Sequence, residues 1–316
     1  MSKRSRVYAV VGIAAAAAIG TVAAVVLVSD GDGKAASAPG LKGKPPIELD
    51  LGLRDDREAT ALRRATALYS GGETRKAAAI FGRYHSVEAE VGSALAGWPG
   101  GTIAKLGALA SAHPNSSYVA LHLGLALYWA GRRGEAVSAW RAAKRANPDT
   151  FSAIRADDLL HTRYNRGLPT FVPSFGSPRL TTRRPREQLD ELADLPGVRG
   201  RIWYGIALQR LGHPLSAERV FAQAASKAPD NPDAQVAAAV GRFDKEHPER
   251  AFSRLGPLTK RFPHAATVRF HLGLLLLWLG EVQAGKRQLR LAEKAAPGSP
   301  LALESRVFLQ KLPTGQ

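Results

Sequence analysis

VALHLGLALYWAG, residues 119–131, and VRFHLGLLLLWLG, residues 268–280, decide how the whole chain is read. His122, Gly124, Trp129 and Gly131 of the first recur as His271, Gly273, Trp278 and Gly280 of the second. From Gly124 the chain reaches Gly131 after 7 residues, Ala136 after 12, Trp140 after 16, Ala143 after 19 and Pro148 after 24. The same offsets lead from Gly205 to Gly212, Ala217, Phe221, Ala224 and Pro229, and from Gly273 to Gly280, Gly285, Leu289, Ala292 and Pro297. Prolines at 114 and 148, and again at 229, 263 and 297, stand 34 residues apart. A fixed period of that size predicts stacked helical hairpins, each too small to bury its apolar face alone.

The offsets have a physical sense. A small residue in the first helix lets the second approach closely, a glycine ends the first helix, Ala and an aromatic in the second interlock with it, and proline stops the hairpin. These residues resemble the tetratricopeptide repeat (TPR), a 34-residue helix–turn–helix unit. The resemblance implies an all-α, TPR-like α-solenoid, a right-handed superhelix of six or seven hairpins. It is strongest at 117–149, 198–230 and 266–298. It is fainter at 232–263 and 58–84, and 87–114 reads as a shortened hairpin. Gly205 and Gly273 lie two pitches apart, whereas 81 residues separate Gly124 from Gly205, an excess of 13. The extra residues fall in 150–195, where NRGLPTFVPSFGSPRLTTR interrupts two helix-like ends; the inserted loop covers about 164–183. Residues 300–312 read as a lone capping helix.

Working toward the N-terminus, residues 29–50 are rich in Gly, Pro, Ala and Lys and predict a flexible linker before a repeat region of 51–316. Residues 7–28 carry no charge over 22 positions, enough to span a bilayer at about 1.5 Å per residue. Lys3, Arg4 and Arg6 precede that run and Asp30 and Asp32 follow it. The positive-inside bias then places residues 1–6 in the cytoplasm and the repeats on the extracytoplasmic face of the cell membrane, behind one transmembrane helix. A cleaved signal peptide is the rival reading, with Ala36-Ser37-Ala38 as its cleavage site.

The 316 residues include no cysteine, which excludes disulfides, Cys-ligated metals and thiol nucleophiles. No phosphate-binding glycine loop, HExxH or GxSxG occurs. Asp157, Asp158 and His161, with Arg155, come nearest to a catalytic cluster, and they read more naturally as ion pairs at a helix contact. His122 and His271 read as satisfied core histidines. No catalytic, metal or cofactor site is expected, so the chain reads as a non-enzymatic scaffold for another protein.

The net charge is +17. Removing the six basic and four acidic residues of the first 50 from the totals of 44 and 27 leaves 38 against 23 in the repeat region. An extracytoplasmic location argues against nucleic acid and for an anionic lipid or wall polymer as the counterpart of that charge, with Arg179, Arg183, Arg184 and Arg186 as the densest cluster. The resemblance also implies a peptide groove on the first helices. It is expected at Leu121, Leu125, Tyr128 and Trp129, at Ile202, Ile206, Gln209 and Arg210, and at Phe270, Leu274, Leu277 and Trp278. The clamp that binds a carboxylate terminus in some members needs Asn and Lys or Arg at several of these positions, which this sequence lacks, so an amphipathic helix or extended peptide is the expected ligand. The two tryptophans also fit plain packing between repeats.

Overall fold

The computed structural model describes residues 40–182 and 184–312. The expected cytoplasmic segment, membrane span and most of the linker lie outside these residues, as does Arg183. Among the described residues no helix is long and apolar enough to cross a membrane.

Fifteen helices, and no strand, make up the described residues. Six hairpins account for twelve of them: α1 (Arg57–Ser70) with α2 (Thr74–Phe81), α3 (Val87–Ala96) with α4 (Thr102–Ala112), α5 (Ser117–Trp129) with α6 (Arg133–Ala146), α9 (Gly197–Arg210) with α10 (Pro214–Lys227), α11 (Pro232–Val240) with α12 (Glu249–Arg261), and α13 (Ala266–Trp278) with α14 (Val282–Ala295). Single helices α7 (Phe151–Leu160), α8 (Pro185–Asp194) and α15 (Pro300–Lys311) complete the set. Every 34-residue proline stands two residues beyond the end of a second helix, at 114, 148, 229, 263 and 297. There its missing N–H and fixed φ forbid another helical turn.

The two ends of a hairpin are built differently. Side-chain caps open four of the six first helices, α9 and α13 being the exceptions: Asp56, Ser86, Ser116 and Asn231 accept the amides of Ala59, Ala89, Val119 and Ala234, and Ser299 does the same for Ala302 of α15. Second helices lack such caps in α2, α6, α10 and α14 and follow at once on a glycine with positive φ, Gly72, Gly131, Gly212 or Gly280. Left-handed glycine ends the first helix, and the chain reverses in two or three residues. Ser116→Ala should lower the stability of the surrounding hairpins by about 1 kcal/mol, read by chemical denaturation, because the Val119 amide loses its acceptor.

The helices pack through the predicted interlocks. A Cβ built on Gly124 would lie 2.4 Å from Trp140, one on Gly205 2.4 Å from Phe221, and one on Gly273 3.0 Å from Leu289. All three partners are buried. Ala136, Ala143, Ala217, Ala224 and Ala292 are buried beside them.

The described residues group into two compact units, one ending at Leu160 and one beginning at His161, a division that the repeat spacing does not announce. The boundary falls just before the insertion. The linker expected over 29–50 does not run to residue 50. Pro45 and Ile47 are buried, and the segment from Leu41 onward is bonded to helices of its unit. Its Pro and Gly content suits an extended bound strap as well as a free tether, and composition does not separate the two.

Candidate functional site

The site is a pair of matched grooves, one in each unit, each filled by a segment of the same chain. In the unit of residues 40–160 the segment 44–52 (KPPIELDLG) crosses the first helices. The Tyr69 hydroxyl, at the C-terminal end of α1, donates to the Pro45 carbonyl at 2.6 Å, and the Trp98 indole donates to the Gly43 carbonyl at 3.1 Å. Upstream, the Leu41 amide donates to the Trp129 carbonyl at the end of α5. Farther along the strap, the Glu48 amide donates 3.0 Å to His122 Nε2, nearer the start of α5, so the strap runs antiparallel to that helix. Arg155 Nε donates 2.9 Å to the Glu48 carboxylate, and the Ser152 hydroxyl donates to Asp50.

The unit of residues 161–312 repeats the arrangement with the inserted loop. LPTFVPSFG, residues 168–176, forms neither helix nor strand and bends at Ser174 and Phe175, and its Val172 amide donates 2.9 Å to His271 Nε2. The Phe171 amide donates to Gln209 Oε1, and the Ser174 amide and hydroxyl donate to the Asp233 carboxylate at 2.9 and 2.6 Å. The Trp203 indole closes the far end on the Gly176 carbonyl. Phe171 is buried, stacked 4.7 Å from His271 at 15° and edge-on to Phe221. The loop therefore belongs to the core of this unit.

Register makes the two sites equivalent. Tyr69 and Gln209 each stand three residues before the left-handed glycine of the first hairpin, and His122 and His271 occupy the same place in the third. Within the straps, Pro45, Ile47, Leu51 and Gly52 match Pro169, Phe171, Phe175 and Gly176, and the amide taken by histidine is in each case the third after that proline. Burial alternates identically from Pro45 to Glu48 and from Pro169 to Val172. Each unit thus contains one strap, three hairpins and a closing helix, α7 or α15, and the unit of residues 161–312 has α8 in addition.

The histidines are held in one tautomer. Nδ1 of His122 lies 2.7 Å from the Tyr118 carbonyl, and Nδ1 of His271 lies 2.7 Å from the Thr267 carbonyl, so each Nδ1 carries the proton. Nε2 is left as an acceptor aimed at the strap amide. Burial pushes both imidazoles down to about 4, against a smaller upward pull from the carbonyl bond, which Glu48 adds to at His122. They are core histidines as the sequence suggested, with half of their bonding supplied by the strap. Sequence reading missed that role and also missed Tyr69, Asp233 and the straps. The signal available was the shared spacing of proline, two apolar residues and glycine at 45–52 and 169–176, obscured because only the proline and glycine are identical.

The residues expected to line a groove divide. Leu121, Leu125, Ile202, Ile206 and Phe270 are buried in the hairpin cores, because each lies on the face of its helix that meets neighbouring helices; they offer no surface to a partner. Tyr128, Trp129, Leu274, Leu277, Trp278 and Arg210 are partly buried. Tyr128 packs on Trp140, Leu277 packs over Gly285, and Trp278 meets Phe243 edge-on. Gln209 does face the groove, where it holds the strap.

Of the proposed anion cluster, Arg179, Arg184 and Arg186 are exposed, and Arg184 is paired with Glu187 at 2.8 Å. Asp157 pairs with Lys144 of α6 at 2.9 Å, an ion pair at a helix contact, and Asp158 pairs with Arg155 one turn away on α7.

The hairpins, their pitch and their small-residue interlocks define an all-α helical-repeat fold. No protein-family model matches the chain, and no curated protein matches it. Among solved structures it is similar to YrrB, a TPR protein with an unusual peptide-binding site, at 12% identity over 64% of this chain and 97% of that one, with a TM-score of 0.30. It is also similar to a tetratricopeptide repeat protein from Parabacteroides merdae, at 12% identity over 80% and 97% with a TM-score of 0.33. A third likeness is to the APC/C hetero-tetramer Cut9–Hcn1, at 14% identity over 80% and 50% with a TM-score of 0.30.

Proposed function

We propose that this chain is a non-catalytic scaffold that binds another protein through its helical repeats, held at a membrane by residues 7–28 with the repeats on the extracytoplasmic side. One observation carries the reading. Both units use side chains of their first helices to hold a stretch of polypeptide by its backbone amides, which is the task a peptide-binding surface performs. A groove preformed by local contacts loses little conformational entropy when such a stretch docks.

A second reading rests on charge. The repeat region has 15 more basic than acidic residues, and Arg179 and Arg186 stand exposed, so an anionic lipid or wall polymer is the alternative ligand. Crosslinking of the full-length protein in native membranes, followed by a high-salt wash, tells the two apart. Retention of a defined protein, lost in a Trp129→Ala/Trp278→Ala variant of unchanged helicity, is the expected result. Recovery of lipid or polymer alone, released by salt and equal in both proteins, would overturn the scaffold reading, because salt screens exposed charge far more than it weakens a buried contact.

A further inference from the structure

We propose that residues 44–52 and 168–176 are built-in occupants of the two grooves, and that a partner enters by displacing a strap with an extended segment of the same spacing, Pro-x-apolar-x-x-x-apolar-Gly. This deepens the scaffold reading and rests on it.

The duplication is the main argument. The two straps share only the proline and the glycine, yet each places its first apolar side chain in the core and its next amide on the groove histidine. A groove design that holds KPPIELDLG in one unit and LPTFVPSFG in the other reads, in common, the backbone and a spacing, with side-chain preferences at single positions added in each unit. It therefore has no means to distinguish its own strap from a foreign segment that presents the same features. The bonds described above join the strap, by its backbone and by the side chains of Glu48, Asp50 and Ser174, to side chains on the helices and their connections, so a strap can leave while every helix keeps its ladder. Proline at the first position favours the extended form before binding and lowers the ordering cost for any competitor.

The grooves differ at the fourth position. Glu48 meets Arg155 at 2.9 Å, so the unit of residues 40–160 favours a segment with an acidic residue there. Val172 takes that place in the other unit, beside the ring of Phe171 stacked on His271, so a neutral segment suits it.

The test uses a fluorescein-labelled synthetic peptide of residues 166–178 and the full chain, followed by anisotropy. Phe171→Ser/Val172→Pro disables the resident strap, since proline has no N–H for His271. This variant should bind the peptide at least about tenfold more tightly than the parent, because the groove is no longer closed. Adding His271→Leu should abolish the gain, and a scrambled peptide should bind neither protein. Equal binding by parent and variant, or a gain untouched by His271→Leu, would overturn the proposal. Should the double variant lose helicity, hydrogen exchange on the unmodified chain decides: excess peptide must deprotect the Val172 amide while the helices stay protected, and unchanged protection sinks the idea. Peptide failure alongside a protein captured in the crosslinking experiment removes the strap inference and leaves the scaffold; failure of both removes both.

Discussion

Gly124→Val is expected to cost the unit of residues 40–160 at least about 3 kcal/mol, at the upper end of what overpacking a core does. Even a bare Cβ at this position would stand 2.4 Å from the indole of Trp140 and 3.1 Å from the Ala136 carbonyl. The indole is 4% exposed and hemmed in by Tyr128, so the clash is relieved only if α5 and α6 separate. Gly124→Ala should be milder, and Trp140→Leu should partly rescue it, since Leu289 opposite Gly273 leaves 3.0 Å in the third repeat. Gly107 provides the opposite sign. It sits inside α4 with nothing within 4 Å of a built Cβ, so Gly107→Ala should stabilise by about 0.5–1 kcal/mol through helix propensity alone. Denaturant titrations of the three variants check both signs. A neutral Gly124→Val would show that the interlock does not hold the hairpin, and a destabilising Gly107→Ala that helix propensity does not govern that position.

Acid should loosen both units. His122 and His271 have folded values near 4 against 6.5 for a free imidazole, so from pH 6.5 downward the unfolded chain takes up protons that the folded chain refuses. Stability conferred by the neutral rings is complete above pH 6.5 and falls as pH drops toward 4. The loss is about 1.4 kcal/mol per histidine between pH 7.5 and 5.5, before the carboxylates titrate. The direction follows from the bonding: a proton on Nε2 would turn the strap's acceptor into a second donor facing an N–H. Around His122 the strap's Glu48 moderates the effect, whereas His271 faces the rings of Phe171 and Phe270. His271→Gln keeps an acceptor without titrating, as Gln209 already does for Phe171. In that variant the unit of residues 161–312 should lose most of its slope from pH 7.5 to 5.5. An unchanged slope would show that these histidines are not the groups that titrate.

Hairpins, their order and their turns were readable from the chain because each depends on neighbours in sequence. Gly131 and Gly212 reverse the helix wherever they stand, Pro148 and Pro229 stop it, and Gly124 with Trp140 or Gly205 with Phe221 fixes a contact sixteen residues long. Surface and core on the first helices were harder to separate. Leu121 and Leu125 look as suitable for a groove as Tyr128, since a first helix is packed on most sides and shows almost no apolar stripe.

The sequence alone determined an all-α repeat protein with a 34-residue pitch, its glycine turns, proline stops and interlocks, and the presence of an insertion after the third hairpin. Only the tertiary structure decided that there are two units, that residues 44–52 and 168–176 are equivalent straps, and that His122 and His271 receive their amides. The reason is range. A hairpin closes over about thirty residues, and its propensities and sterics are written locally, whereas Glu48 finds His122 across 74 positions and Val172 finds His271 across 99. Contacts that distant follow no periodicity, and they exist only after the hairpins have stacked to make the groove.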